Sequence, residues 1–394
     1  MSTDSPSTVD VAIIGGGIGG MATAVALDQI GITAHVYERS ATARVGGGSI
    51  AIDVPGLNLL KGWGLEDDFL KHGVILAGVE NHKWTGGVVN FFVLPDLAAM
   101  GVELEDRSEA RRDIFSTLRT DLTATLATKV PATRVHYGKK VVSVTDHGTH
   151  AEAVFEDGTT VRAELIVGAD GANSTVRRMV TDHEAERTDV IYVQTKTSVD
   201  QLPEGMTLDR MRHWEHWLTD EIAVNVLMTP VRGGKQAEFD VGFYGGKRIA
   251  EQNGDVPLEE VLPYLGPDYD PFIIDQVKST LMTPFAWMLW DLPEIDTWIT
   301  DRVALLGDAA HAMRPTLGQG ANQSMHDANV LAKCLSETSD IPAALKQYES
   351  IRLPYVGVIQ RASREIRPTP SEWQDLAVED DPLETKGSWA QSTK

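Results

Sequence analysis

Apolar and polar positions change period along this chain, and the changes mark its elements. Val9–Ile14 is an apolar run of strand length, and glycines follow at once. Met21–Ile30 is a helical stretch rich in small apolar residues, with Gly31 as its stop. Ala34–Tyr37 predicts a second strand that ends at Glu38. The short helical crossover makes this a βαβ unit, which requires parallel strands. An apolar stretch follows around Leu57–Leu65. Arg111–Leu126 predicts a helix, because Ile114, Phe115, Leu118, Leu122 and Leu126 recur three and four residues apart. Val141–Val144 and Ala151–Phe155 predict strands, with hairpin chemistry in the turn Glu156-Asp157-Gly158. Leu165–Gly168 predicts a buried strand that runs into Ala169-Asp170-Gly171.

From about residue 183 to 285 the pattern alternates. Val190–Thr197, Ile222–Thr229 and Phe239–Tyr244 read as strands with one covered face and one facing a cavity or solvent. Trp214, Trp217, Trp287 and Trp290 concentrate in the same region. Parallel-sheet character returns at Val303–Leu306. Helices are predicted at Gly320–Leu335 and Ala343–Arg364, and a loose acidic tail from about Pro370. No repeat of 20–50 residues is visible.

Composition narrows the class. The 394 residues are 42% apolar and 23% charged, which is globular and enough for one large or two to three ordinary domains. Lys plus Arg number 35 against 57 Asp plus Glu, a net charge of −22 that argues against nucleic acid or an anionic membrane as partner. The one cysteine, Cys334, excludes an internal disulfide framework and any multi-cysteine metal site, and no metal site is expected. The first ten residues show no basic, apolar leader pattern, and no apolar run reaches the ~18 residues of a membrane helix. A cytoplasmic protein is the expectation.

Three motifs carry chemistry. Gly15-x-Gly17-x-x-Gly20 stands between a strand and a helix. Its glycines allow a tight turn, close approach of backbone to a pyrophosphate and close helix–strand packing. The N–H groups and dipole of the helix start then face the phosphates. Glu38, at the end of the next strand, can accept hydrogen bonds from both hydroxyls of an adenosine ribose. This motif alone does not separate FAD from NAD. In the second motif, Gly168–Arg177, Asp170 beside Gly171 either holds a ribose hydroxyl or forms an ordinary Asx turn. In the third, Gly307-Asp308 is followed by His311, Pro315 and Gly318-Gln319-Gly320-Ala321-Asn322. Asp308 suits a polyol chain, the glycines suit a flat ring, and the helix start near Gly320 suits an anionic one. His311 reads as structural.

In this order and spacing the motifs resemble those of the single-component FAD-dependent aromatic hydroxylases, the group A flavoprotein monooxygenases with the p-hydroxybenzoate hydroxylase fold. The salicylate hydroxylases and tetracycline monooxygenases are similar, and the likeness spans about residues 8–365. It implies an α/β fold: a Rossmann-like FAD-binding domain with a parallel sheet, and a substrate domain on a mostly antiparallel sheet. The expected boundaries are 1–75, 105–182 and 286–369 for the first, 76–104 and 183–285 for the second, and 370–394 for the tail. It implies that Gly15, Gly17, Gly20 and Glu38 bind the ADP half of FAD. Asp170 and Gly171 would serve FAD and the encounter with NADPH or NADH, and Gly307-Asp308 the ribityl chain. Gly318, Gly320, Ala321 and Asn322 would line the flavin ring, with Pro315 beside its oxygen-reacting face. Arg112, Arg44 and Arg39 would supply the local cations an acidic protein needs, and Gly47 the flavin-side loop. Gly47-Gly48-Ser49-Ile50 departs from the usual Gly-x-Gly-Ile and is closer to the tetracycline-monooxygenase branch. The implied reaction uses NAD(P)H and O2 to hydroxylate a small aromatic, heteroaromatic or polycyclic molecule through a flavin C4a-hydroperoxide. A flavin epoxidase or Baeyer–Villiger enzyme, an NAD-linked dehydrogenase, and a non-catalytic FAD or small-molecule binder are the alternatives. A monomer or homodimer is expected.

The substrate region offers less. His213 and His216 are candidate catalytic bases, flanked by Trp214 and Trp217. Arg210 and Arg212 suit either a substrate carboxylate or ordinary salt bridges. Tyr192, Gln194, Asn225 and Met228 lie on alternating strands, and the pattern does not say which strand face points inward. Phe243, Phe285 and Trp287 suit a hydrophobic wall or core packing. Cys334 reads as a buried small apolar residue.

Overall fold

A computed structural model describes residues 7–43, 46–83, 88–92, 114–202, 206, 208–217, 223–244, 271–281 and 286–365. The strands in chain order begin β1 (Ser7–Ile14), β2 (Ala34–Glu38), β3 (Ser49–Ile52), β4 (Val74–Leu76), β5 (Val79–Lys83) and β6 (Val88–Phe92). Next come β7 (Ile114–Leu118), β8 (Val135–Tyr137), β9 (Val141–Asp146), β10 (Ala151–Phe155) and β11 (Thr160–Gly168). The series closes with β12 (Glu186–Ser198), β13 (Met211–Trp217), β14 (Ala223–Val231), β15 (Gln236–Tyr244), β16 (Ala286–Asp291) and β17 (Val303–Leu305).

The first sheet runs β8-β2-β1-β11-β10-β9, and β17 also pairs with β11. Its β1–β2, β1–β11, β2–β8 and β11–β17 pairs are parallel. The buried ends of these strands explain this: Val11–Ile14 and Leu165–Gly168 are buried throughout, as strands covered on both faces must be. The helix Ile18–Gln29 crosses one face. Its small residues Gly20, Ala22, Ala24 and Ala26 are all buried, and it packs closely against the helix Gly320–Glu337. Chain order moves from β1 to β2 on one side, while β11 enters on the other. That makes the carboxyl end of β1 a topological switch point, the place where such sheets open a crevice for ligands.

A second sheet, β16-β12-β15-β14-β13-β5-β6, is antiparallel except for the β13–β5 pair. Its alternation is resolved by the helix Pro271–Leu281. Val193, Val224, Val226, Met228, Phe239, Val241 and Phe243 form a core with Ile273 and Ile274. A third, small antiparallel sheet, β3-β7-β4, lies between them.

The third sheet corrects one expectation. Ile114–Leu118 is not the start of a helix but the strand β7, buried at all five positions. The helix begins afterwards, at Arg119–Ala127, where Leu122 and Leu126 keep the three- and four-residue spacing. β3 and β4 pair with the two edges of β7, and its faces are covered by other elements, Phe115 meeting Phe69 and the Ser116 hydroxyl donating to the Pro230 carbonyl of β14, so Ser116 and Thr117 are buried beside the apolar residues. A short buried run fits either period, and here tertiary cover decides.

Candidate functional site

The glycine loop leaves the carboxyl end of β1. Gly15 adopts φ +111, and a Cβ there would stand 2.2 Å from the Ala169 carbonyl oxygen. A Cβ on Gly20 would stand 1.9 Å from the Gly15 carbonyl oxygen. Both glycines are therefore demanded by the fold. Gly17 differs: the nearest atom to its Cβ position is Nη2 of Arg119, 3.8 Å away. Gly17 thus opens the first turn of the helix to an approaching group, where free N–H donors and the positive dipole end await an anion. Glu38 is buried at the end of β2 and accepts from the backbone N–H groups of Gly16 (2.8 Å) and Ser40 (2.9 Å).

The second motif is braced internally. The Asp170 carboxylate accepts from Ser174 Oγ (2.5 Å) and from the N–H groups of Thr175 (2.7 Å) and Val176 (3.2 Å). Burial pushes its pKa up against the pull of those hydrogen bonds. Gly171 takes φ +84, as a turn residue without a side chain can. Arg177, fully buried, donates to the carbonyls of Ala172 (2.7 Å), His183 (2.9 Å) and Ala309 (3.1 Å). It thereby ties the second motif to the third.

The third motif turns on Gly307, at φ +58. Asp327 lies beneath it and accepts from Gly307 N–H (2.9 Å), His311 Nε2 (2.6 Å) and Arg352 Nε (2.7 Å). Burial alone would raise this carboxyl, but the charges of His311 and Arg352 hold it far below the usual carboxylate range. His311 is a structural residue of this cluster. Asp308 points toward the start of the next helix, its Oδ1 4.0 Å from where a Gly320 Cβ would be. Pro315 is exposed and opens a single turn, Pro315–Leu317, before Gly318 takes φ +63. Asn322 is buried and donates to the carbonyls of Ala51 (3.1 Å) and Gly318 (3.2 Å). Gln319 donates to Asp53 (3.1 Å), and Ala321 is half-buried beside it. Gly318–Asn322 is thus held against the end of β3.

Of the predicted cations, Arg39 is exposed beside Glu38. Arg44 and Arg112 lie outside the described residues. The arginine that does reach the glycine loop is Arg119, which belongs to none of the three motifs. It is exposed and makes no ion pair among the described residues. Its backbone N–H donates to Gly48 O (3.0 Å), and its side chain lies 3.3 Å from the Cβ position of Gly47. Its signal was the position directly after a buried strand, visible only once Ile114–Leu118 is read as one.

In the second sheet, Tyr192, Gln194, Asn225, Glu238 and Asp240 share the face opposite the helix Pro271–Leu281. Met228 lies on the opposite face and Phe243 takes the core-packing alternative: both pack in the helix-covered core. Gln194 donates to Asp240, and Ser49 N–H donates to Glu238 Oε1 (2.5 Å), so this face meets the Gly47–Ile50 segment. His213 is half-buried, with Nδ1 3.1 Å from Asn81 Oδ1. Burial first, and the neighbouring His82 second, lower its pKa to about 4, so its ring is neutral at physiological pH. His216 pairs with Val224 in the ladder, and its side chain lies outside the described residues, as do those of Trp217, Phe285 and Trp287. Arg210 (2.7 Å) and Arg212 (3.3 Å) both donate to Glu80, whose pKa is about 2 because His82 and the two arginines outweigh its burial. Cys334 is buried. Among the described residues no group of three or more His, Cys, Asp or Glu could hold a metal, and no helix is long and apolar enough to cross a membrane.

An open glycine at a helix start, a buried carboxylate one strand away and a free guanidinium above them suit a dinucleotide. Comparison with known proteins agrees. The family described as FAD binding domain matches residues 8–363. The chain is 28% identical over 361 residues to 3-amino-4-hydroxybenzoate 2-monooxygenase of Streptomyces cremeus, covering 91% of this chain and 86% of that one. It is 31% identical over 356 residues to the FAD-dependent urate hydroxylase of Mycolicibacterium vanbaalenii, covering 87% and 84%. In fold it is similar to Klebsiella pneumoniae HpxO complexed with FAD and uric acid, with a TM-score of 0.72, 24% identity and coverage of 97% and 92%. This chain belongs to the FAD binding domain family, among the FAD-dependent monooxygenases, and its cofactor is FAD.

Proposed function

We propose that this enzyme hydroxylates a small electron-rich aromatic or heteroaromatic molecule, bound between the polar face of the second sheet and the Gly318–Asn322 segment. The observation that carries the reading is the switch-point crevice itself, with Gly17 open, Glu38 buried and Arg119 above them. Residues 1–75, 105–182 and 286–369 would form the FAD-binding body, and 76–104 with 183–285 the substrate body.

Gly15 and Gly20 shape the loop, Gly17 admits the pyrophosphate, and Glu38 receives the adenosine ribose. Arg119, with Arg39, Arg44 and Arg112, offsets the charge of the phosphates in a strongly acidic protein. Asp308 with Gly307 takes the ribityl hydroxyls. Gly47, Gly318, Gly320, Ala321 and Asn322 would border the flavin ring, with Pro315 beside it. Asp170 and Gly171 keep the second motif in place for both nucleotides. Bound FAD supplies acceptance of a hydride from NADPH or NADH and activation of O2. The chain's own task is to bind, orient and exclude water. Tyr192, Gln194 and Asn225 supply hydrogen bonds that orient the ring. His213, neutral and hydrogen-bonded to Asn81, is available as a proton acceptor and not as an acid. We further propose a cytoplasmic monomer or homodimer without nucleic-acid or membrane partners.

Anaerobic stopped-flow reduction of the flavin by NADPH and NADH tests this reading. The panel is aminophenols, hydroxybenzoates, hydroxypyridines, purines and polycyclic ketides. One class should accelerate reduction strongly. A flavin whose reduction no aromatic changes contradicts substrate-gated hydroxylation and favours epoxidation, Baeyer–Villiger chemistry or simple binding.

A further inference from the structure

Glu238 and Asp240 stand two residues apart on β15, so both side chains emerge on the face that meets the glycine-rich Gly46–Gly48 segment. Each is buried. Glu238 Oε1 accepts the Ser49 N–H, and Asp240 Oδ2 lies 3.5 Å from Ser49 Oγ. Gln194 bridges the two carboxyls, donating to Asp240 and lying 3.4 Å from Glu238. Gly48 is seated directly on this group: a Cβ there would stand 2.1 Å from Gln194 Nε2 and 3.1 Å from Glu238 Oε1. On the other side of the same segment, Arg119 N–H donates to Gly48 O and the Arg119 side chain reaches the Gly17 turn. A contiguous path therefore runs from the carboxyl pair, through Gly48 and Ser49, to Arg119 and the glycine loop.

We propose that Glu238 and Asp240 act as a one-proton clasp on the Gly48–Ser49 backbone, a positioning pair that sets how well the crevice holds FAD. The proposal rests on the FAD reading above. Two buried carboxylates this close cannot both ionise at ordinary pH without strong repulsion. The other charged side chain facing them among the described residues is Lys196 on β12, 3.0 Å from Glu238 Oε2. Thr229 on β14, opposite Glu238 in the ladder, carries a buried hydroxyl with no hydrogen-bond partner and offers them no donor. One lysine offsets one carboxylate. Glu238, facing Lys196 and the Ser49 N–H, keeps the charge, and Asp240 keeps the proton. Burial and the adjacent Glu238 charge raise the Asp240 pKa to about 8. Above that pH the second proton leaves, the pair repels, and the Ser49 clasp loosens.

The test is FAD affinity of the apoprotein, followed by quenching of flavin fluorescence between pH 6.5 and 9.5. The pyrophosphate does not titrate in this range, and the flavin N3–H begins to ionise only at its upper end, a contribution that the Asp240→Asn variant shares. Wild type should bind FAD tightly at pH 7 and lose about fivefold or more in affinity by pH 9.5, within the roughly thirtyfold that linkage to one proton with a pKa of about 8 allows. Asp240→Asn, which cannot ionise, should hold the pH 7 affinity across the range apart from that contribution. Glu238→Ala should bind weakly at every pH, and Glu238→Gln should recover part of the loss. A pH-independent wild type, or an Asp240→Asn variant with an unchanged pH profile, overturns the clasp. A wild type that takes up no FAD at any pH overturns the FAD reading instead. Should the variants fail to fold, hydrogen exchange at the Ser49 amide of wild-type apoprotein decides the matter. Corrected for its intrinsic rate, protection should fall between pH 7 and 9.5, and constant protection contradicts the clasp.

Discussion

Within the glycine loop, residues of one type do different work. Gly20 has no room for a methyl group, because a Cβ would meet the Gly15 carbonyl at 1.9 Å. Gly17 has room, and its openness faces the place where a ligand must come. Gly20→Ala should therefore damage the apoprotein itself and lower its Tm. Gly17→Ala should leave apoprotein stability within about 1 kcal/mol of wild type while weakening FAD about tenfold or more, since a methyl group would occupy the approach. Thermal unfolding without flavin, beside a flavin titration, separates the two. Equal loss of apoprotein stability in both variants would contradict the distinction. Arg119→Ala removes an exposed charge and should cost about ten- to a hundredfold in FAD affinity, most visibly at low salt. The glycines were legible in the sequence because the constraint is local. Arg119 was not, because its role depends on a strand partner 60 or more residues away.

At the scale of elements, the βαβ unit and the hairpin that turns at Glu156-Asp157-Gly158 follow from period and turn chemistry, and the structure has them, the second as the antiparallel pair β10–β11. Strand β7 does not follow, since its five buried positions satisfy a helix or a strand until β3 and β4 pair with its edges. The second sheet shows the same limit. Alternation identified its strands but not which face is inner, and the helix Pro271–Leu281 settles that by covering Met228 and Phe243. Position within the sheet also sets the chemistry of His213. Its pKa is lowered to about 4, so the folded form binds fewer protons than the unfolded one between pH 4 and 6.5. Its contribution to stability is present above pH 6.5 and lost as pH falls through that window. His213→Asn should flatten this part of the stability profile, measured by urea unfolding between pH 4.5 and 7. No inflection of the rate near pH 6 to 7 should disappear with this residue. A variant profile as steep as wild type would show that another group titrates.

Across the whole molecule, the three motifs are parts of one hydrogen-bonded frame: Ala169 N–H of the second donates to Ile14 O, directly before the first. Arg177 joins the second to the third, and Asp327 joins Gly307 to Arg352 of the C-terminal helix Ile341–Glu365. Because Asp327 is buried and accepts from Gly307 N–H, His311 and Arg352, its removal leaves the buried Arg352 guanidinium without its carboxylate. Asp327→Ala should cost about 3–5 kcal/mol in denaturant unfolding and take flavin retention with it. A loss confined to the surface range, about 0.5 kcal/mol, would contradict a role at the centre of the frame. This frame was only partly legible. Its motifs stand out as clusters of glycine and aspartate, whereas the residues that fasten them together, Arg177, Asp327 and Arg352, look ordinary in the chain.

The most direct measurement of the central claim is isotopic. The FAD-loaded enzyme is turned over under 18O2 with NADPH or NADH and the aromatic that best accelerates flavin reduction. A hydroxylase should yield a product one oxygen atom heavier than the substrate and carrying 18O, with one nicotinamide oxidised for each molecule formed. Oxidation of the nicotinamide with no labelled product, the oxygen recovered only as hydrogen peroxide, would contradict hydroxylation.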